Sequence, residues 1–346
     1  MPSFKAAVLV KKGAPLEIVE LKIPKPKENQ ILVRNIYSGV CRSQLMEQDG
    51  SRGFDKWIPH LLGHEGFGVV LEIGKGVSKV KVGDSIILSW IKGSGTISDN
   101  PQFKTTKNQV INSGKVTTFS EVTITSECFV TKAPKGFDEK FYPLFGCALL
   151  TGAGMAIRAL ENNHKKIVII GFGGVGSAAA IALSCNSELE IVIVEDSPSR
   201  RSLAVDLGFL KVLNSSEVLN QIESFDLCLE SAGTTDSIEL GFKLICARGK
   251  LVFASHPPTG NFIKIDPYEL IKGKKIEGSW GGGSNLDYDV HEIANLLLKS
   301  NVNLNLLIGN TYKLSQINEA IDDLRQGLPG RPIISFVENV RSYESQ

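Results

Sequence analysis

The sequence predicts an α/β chain in two parts: a β-rich part, then a doubly wound parallel sheet covered by helices. Three observations predict it. Short alternating apolar runs broken by Gly, Pro and charged turns fill the first ~150 residues. From Phe145 onward, solid apolar strands alternate with helical stretches, as in βαβ units buried on both faces. Between the strand KIVII and the helix SAAAIAL lies a glycine-rich joint, GFGGVG, at residues 171–176.

The elements follow in order. KAAVLV, LEIVEL, QILVRNIYSGV and HEGFGVVLEIG read as short strands. Residues 91–118, rich in Gly, Ser, Thr, Asn and Lys, read as a loop, and strands resume at FSEVTI and ECFVTKA. FGCALLTGAGMAIRAL reads as a helix of small and apolar residues. KIVII, LEIVIV, FDLCLE and GKLVFAS then supply strands of the parallel sheet. HEIANLLLKS and INEAIDDLRQG carry the period of amphipathic helices, and RPIISFV is a last strand. This tail is expected to return to the first part. The expected domains are therefore 1–148 with 282–346, and 149–281.

Bulk properties narrow the function. The 346 residues are 42% hydrophobic and 22% charged, ordinary for a globular protein with two cores. The net charge of +1, without a basic stripe, argues against nucleic acid and anionic membranes as partners. MPSFKAAVLV lacks the apolar core of a signal peptide, and no apolar run is long enough for a membrane helix. The six cysteines are scattered, with no CxxC pair. They read as reduced thiols, so a cytoplasmic location is expected.

GFGGVG is a GxGxxG, and its context carries more weight than the pattern alone. Gly171 permits a tight turn. Gly173 and Gly174 let backbone amides approach a pyrophosphate at the helix N-terminus, and Gly176 allows close helix–strand packing. Glu195 follows the next strand, where a carboxylate accepts from both adenosine ribose hydroxyls and repels a 2′-phosphate. That favours NAD over NADP, with Arg200 and Arg201 as the opposing signal. A structural glycine turn or a methyltransferase nucleoside site is the competing reading.

Cys41 lies in YSGVCRSQ, His64 in LLGHEGFGVV and Cys147 in LFGCALLTG. Singly, each reads more readily as a structural residue. Together, two thiolates and an imidazole would make a three-ligand metal site with its fourth position open. The spacings of 23 and 83 residues are far too long for a local finger, so only the fold can unite them.

These segments resemble the zinc-containing alcohol dehydrogenase branch of the medium-chain dehydrogenase/reductase superfamily. The resemblance covers essentially the whole chain. It is carried by GVCRSQ, GHEGFGVVLEIGKGVSKVKVGD, GCALLTGAG, GFGGVG and ESAG, in that order. It implies a GroES-like β-rich catalytic domain joined to a Rossmann domain, with one catalytic zinc on Cys41, His64 and Cys147. Glu65 then falls beside the metal, and Ser43 on the hydroxyl that relays the proton of the alcohol. Arg42 and Arg331 fall on pyrophosphate contacts, and Thr151 and Val175 on nicotinamide contacts. Glu195 and Arg200 fall on the adenosine ribose, and the backbone of His256 on the nicotinamide amide. Trp90 falls on a wall of the substrate pocket, and Trp57 also reads as a residue that helps exclude water.

The departures from that pattern matter too. Residues 91–118 contain no cysteine, so the four-cysteine structural zinc of the family is not expected. Gln44 replaces an Asp behind the metal histidine, and Met46 replaces the His that ends the relay in some members. The expected activity is hydride transfer between an alcohol or its carbonyl and NAD. The Gly-rich SWGGGSN and the shortened lobe lean toward a sugar or polyol. A homodimer or homotetramer is implied. The competing functions are a zinc-free NAD(P)H quinone or enone reductase of the same fold, which lacks the Cys–His–Cys set, and a non-catalytic nucleotide-binding protein.

Overall fold

The computed structural model describes residues 3–337. Three sheets organise them. In the second half, strands Lys166–Ile170, Glu190–Val194, Val212–Leu213, Phe225–Glu230, Ile245–Phe253 and Lys275–Gly278 form one wholly parallel sheet. Numbered along the chain, these strands lie in the order 3-2-1-4-5-6, the doubly wound order that places a ligand crevice where the winding reverses. Lys166–Ile170 is central, and its last four residues are buried. That is why the strand reads as a solid apolar run rather than an alternation.

The first half folds as a five-stranded and a seven-stranded sheet. Strand Gln30–Gly39 is the hub of the larger one, paired with Glu65–Ile73, Val122–Ser126 and Arg331–Ser335. The last pairing is antiparallel and sets Ile333 opposite Gly39. The C-terminal strand therefore returns to the first half, as the sequence predicts.

Two expectations need correction. Residues 91–118 are not all loop. Gln102–Lys104 and Val110–Asn112 form a hairpin, turned through left-handed Asn108 and seated by buried Phe103 and Ile111. Nor does 282–346 return as a block. The helix Leu286–Lys299 buries Leu286, Val290, Ile293, Ala294 and Leu297. That face joins the core formed by Leu149, Ala153, Ala178 and Ile181, from the helices Ala148–Ala159 and Gly174–Ser184. The return to the first half comes after Lys299. No single helix among the described residues is long and apolar enough to cross a membrane.

Candidate active site

A cleft of about 850 Å³ runs between the two halves, within the size range of small-molecule and cofactor sites. Cys41, His64, Trp90, Cys147 and Thr151 line it together with the glycine turn, Glu195 and His256.

Local folding aims the metal candidates. Cys41 caps the helix Arg42–Gln48 in extended conformation. Cys147 ends a 3-10 helix and caps Ala148–Ala159. Each sulfur thus sits at a helix start, where unpaired N–H groups favour a thiolate. His64 lies just before strand Glu65–Ile73. One ligand atom from each of the three lies within 4.8 Å of the others.

Their electrostatics suit a cation. A hydrogen bond from Cys147 holds the Cys41 thiol well below its ordinary range despite burial, and the Arg331 guanidinium adds to this. The same bond, with burial, pushes Cys147 well up. A divalent cation held between the two sulfurs would favour the thiolate form of both. Burial lowers His64, but its bond and charge interaction with Cys41 outweigh this and leave it raised. Gln44 places its amide nitrogen 2.9 Å from His64 Nδ1, while its oxygen accepts from the Gly63 N–H. His64 Nε2 stays buried without a partner. An orphaned imidazole nitrogen beside the sulfurs of half-buried Cys41 and buried Cys147 fits zinc.

Glu65 is fully buried, and burial raises its pKa to about 7, with Arg331 pulling it down. Gly39 and Gly146 leave room for it: a Cβ at Gly39 would strike its carboxylate, and one at Gly146 would lie 2.7 Å from its Cα.

The glycine joint takes the predicted form. Gly171 is left-handed, at φ 86°. Gly173 caps the helix Gly174–Ser184, and a Cβ built there would meet nothing within 4 Å. A Cβ at Gly176 would run into the Gly171 carbonyl, so this glycine serves packing. Another close approach sets Gly152 against the Val175 carbonyl. Glu195 accepts from Phe172 N–H at 2.7 Å and from Ser197 N–H at 2.9 Å. Arg200 stands 4.0 Å from it. Arg201 turns instead to the carbonyls of Glu195 and Asp196.

Arg42 reaches across the cleft and donates to the Ala232 carbonyl at 2.6 Å. The turn it meets is fixed by buried Glu230, which accepts from Gly233 N–H and the Ser237 hydroxyl. Arg331 is 6% exposed, and Glu65, Cys41 and Cys147 all act on its charge. Its Nε is 3.2 Å from Glu65 Oε1, and its Nη1 donates to the Val40 carbonyl. A Cβ on Gly174 would lie 2.7 Å from its Nη2. His256 Nδ1 is turned to the Pro257 carbonyl, 2.8 Å away.

Ser43 Oγ, Thr151 Oγ1, Trp90 Nε1 and His64 Nε2 are all buried without partners, and all four residues line the cleft. Buried polar atoms are ordinarily paired, so such a set marks a place that ligands complete. Trp90 stands edge-on to His64, with centroids 6.4 Å apart, and to Trp280 at 5.1 Å. Sequence reasoning did not single out Trp280, which is 80% exposed. It also passed over Glu47, Asp55 and His60, whose ligand atoms also lie within 4.8 Å of one another. The side chains of Glu47 and His60 share the cleft. Nothing in their spacing could have found them.

Residues 27–135 match the family described as alcohol dehydrogenase GroES-like domain, and residues 174–299 match zinc-binding dehydrogenase. Alcohol dehydrogenase 6 of Rattus norvegicus is 26% identical, covering 93% of this chain and 95% of the relative. An S-(hydroxymethyl)glutathione dehydrogenase of Synechocystis is 24% identical, with 96% and 99% covered. The crystal structure of benzyl alcohol dehydrogenase from Acinetobacter calcoaceticus superposes with a TM-score of 0.85 at 26% identity, covering 97% of this chain and 99% of that one. With its two halves matched in order and Cys41, His64 and Cys147 gathered in the cleft between them, the chain belongs to the zinc-containing alcohol dehydrogenase branch of the medium-chain dehydrogenase/reductase superfamily.

Proposed function

We propose that this chain oxidises an alcohol reversibly with NAD, at one zinc held by Cys41, His64 and Cys147. The observation that carries this reading is the convergence of those three ligand atoms within 4.8 Å, in the cleft that also holds the glycine turn. Zinc supplies a Lewis acid that makes the alcohol O–H acidic, and NAD supplies the hydride acceptor.

The chain's residues position and protect. Ser43 Oγ, without a partner of its own, takes and passes the alcohol proton. Thr151 and Val175 back the nicotinamide, with the His256 backbone at its amide. Gly171, Gly173, Gly174 and Gly176 shape the pyrophosphate turn, with Arg42 and Arg331 beside it. Glu195 and Arg200 face the adenosine ribose, and the carboxylate favours NAD over NADP. Glu65 stands behind the metal, and Trp90 forms the substrate wall. Gln44 meets His64 Nδ1 through its amide nitrogen, where the family has a carboxylate.

The substrate reading moves away from a polyol. The glycines after Trp280 are not a polar wall. A Cβ on Gly282 would lie 2.5 Å from the carbonyls of Leu150 and Thr151, so they serve close packing on a helix. The edge-on Trp90–Trp280 pair beside His64 favours a flat apolar alcohol.

A homodimer is proposed through the outer strand of the parallel sheet, Lys275–Gly278. Beside it Phe262, Tyr268 and Ile271 are exposed, an apolar patch that a partner would cover. The six free thiols support a cytoplasmic location. The domains are proposed, over the described residues, as 3–148 with 300–337, and 149–299. An NAD-coupled screen of aromatic, aliphatic and sugar alcohols, with zinc quantified on the same preparation, tests the reading. Turnover without metal, or a preference for polyols, would contradict it.

A further inference from the structure

Alcohol oxidation in a closed cleft leaves a proton to be removed. Ser43 can pass it on but cannot keep it. Met46, one turn further along the same helix, carries no titratable group, and the Gln44 amide is committed to Gly63 and His64. Glu47 stands four residues after Ser43 on the helix Arg42–Gln48, so the two side chains share a face.

Glu47 belongs to a cluster outside the metal site. Its carboxylate, the Asp55 carboxylate and a ring nitrogen of His60 lie within 4.8 Å of one another. His60 is 5% exposed. Its Nδ1 lies 2.9 Å from the Leu61 carbonyl and its Nε2 2.7 Å from Asp55 Oδ2. Both ring nitrogens thus face oxygen atoms, which fixes the imidazole plane. Arg52 sits 3.3 Å from Glu47. Strand neighbours Leu9 and Asn112 present no titratable group to His60. Glu47, Arg52 and His60 thus stand together on the cleft wall, with the Asp55 carboxylate bound to His60. The Glu47 side chain is 28% exposed and open to water.

We propose that the Glu47–His60–Asp55 cluster is the proton exit of this enzyme. The proposal rests on the alcohol oxidation assigned above. The alcohol O–H bond breaks as Ser43 accepts that proton and gives up its own. An O–H bond then forms on Glu47 as an intervening water hands its proton on and takes the one from Ser43, and Glu47 releases the proton to solvent. No electrons move in this step, since the hydride leaves separately to the nicotinamide. His60, Asp55 and Arg52 are positioning residues. They hold Glu47 in place and balance its charge as the proton passes.

The test compares wild type, Glu47→Gln and His60→Gln in benzyl alcohol oxidation with NAD at neutral pH, across a range of imidazole concentrations. Zinc content and NADH affinity are measured on the same samples. The expected result is a kcat lower by roughly tenfold in each variant, less than the loss of a direct general base. KM, zinc and NADH binding should stay unchanged, and added imidazole should restore the rate by carrying the proton itself. A purely structural role would not respond to imidazole. Glu47→Gln, on a partly exposed side chain, decides the matter even where His60→Gln fails to fold. Wild-type kcat in Glu47→Gln, or a loss that imidazole does not restore, overturns the route alone. A wild type that binds zinc and NADH but oxidises no alcohol in the wider screen overturns the reaction, and the route with it.

Discussion

Arg331 Nε lies 3.2 Å from Glu65 Oε1, and this buried pair ties the strand after His64 to the glycine turn. Glu65 is fully buried and Arg331 nearly so. Desolvation raises the Glu65 carboxyl to about 7 even with the guanidinium beside it. The contact is an ion pair rather than an aligned hydrogen bond, since neither atom has a hydrogen-bond partner. Arg331→Met should leave Glu65 without its counter-charge, and the carboxyl should then take up a proton at neutral pH. That escape puts the expected loss near the low end for orphaning a buried ion, about 3 kcal/mol. Urea unfolding measures it. Glu65→Gln in the same background should recover part of the loss, and an additive further loss would contradict the pairing.

Gly173 and Gly176 should separate binding from stability. A methyl at Gly173 meets nothing within 4 Å, so Gly173→Ala should melt with the wild type. Its methyl would occupy the space through which a pyrophosphate approaches the helix, and NADH affinity should fall on the order of tenfold. Gly176→Ala sets its methyl against the Gly171 backbone carbonyl, which cannot move aside as a flexible side chain would. It should cost about 2–3 kcal/mol of stability, as overpacking does. Isothermal titration and thermal melts distinguish the two. Equal losses of stability in both variants would contradict the assignment.

Glu127 fastens the segment that reads as a loop in the sequence. Its carboxylate accepts from the N–H groups of Ser78, Lys79 and Thr96. Burial alone would raise its pKa, but these bonds outweigh burial and hold it below the ordinary value of 4.5. For a group depressed on folding, the stabilisation is present above 4.5 and is lost as pH falls through the lower, folded value. Glu127→Gln should therefore cost about 1–3 kcal/mol at neutral pH. The gap between variant and wild type should shrink below pH 4.5. Unfolding curves across that range check the sign, and a gap that widens on acidification would refute it.

What was legible in the sequence was local. The glycine joint stands out because turn, cap and packing demands fall within six residues. The alternation of KIVII and its neighbours with helices predicted the parallel sheet, because strands buried on both faces lack polar positions. Cys41, His64 and Cys147 were legible only through a family resemblance, since three elements distant in the chain bring them together. The pattern of Leu286–Lys299 revealed an apolar face but not which half it covers. Arg331 was readable as a cation at the cleft, but its bond to Glu65 depends on how strand Arg331–Ser335 docks beside Gln30–Gly39. Glu47, Asp55 and His60 are ordinary residue types at ordinary spacings, and only the fold gives them meaning.

Zinc content measured together with alcohol turnover, in wild type and in Cys147→Ala, tests the metal centre most directly. NADH binding serves as the control for folding. The wild type should carry one zinc per chain and oxidise alcohol with NAD. Cys147→Ala should lose zinc and turnover together while still binding NADH. A Cys147→Ala protein that keeps full turnover, with or without its metal, would contradict the assignment of Cys41, His64 and Cys147 as the ligands of a catalytic zinc.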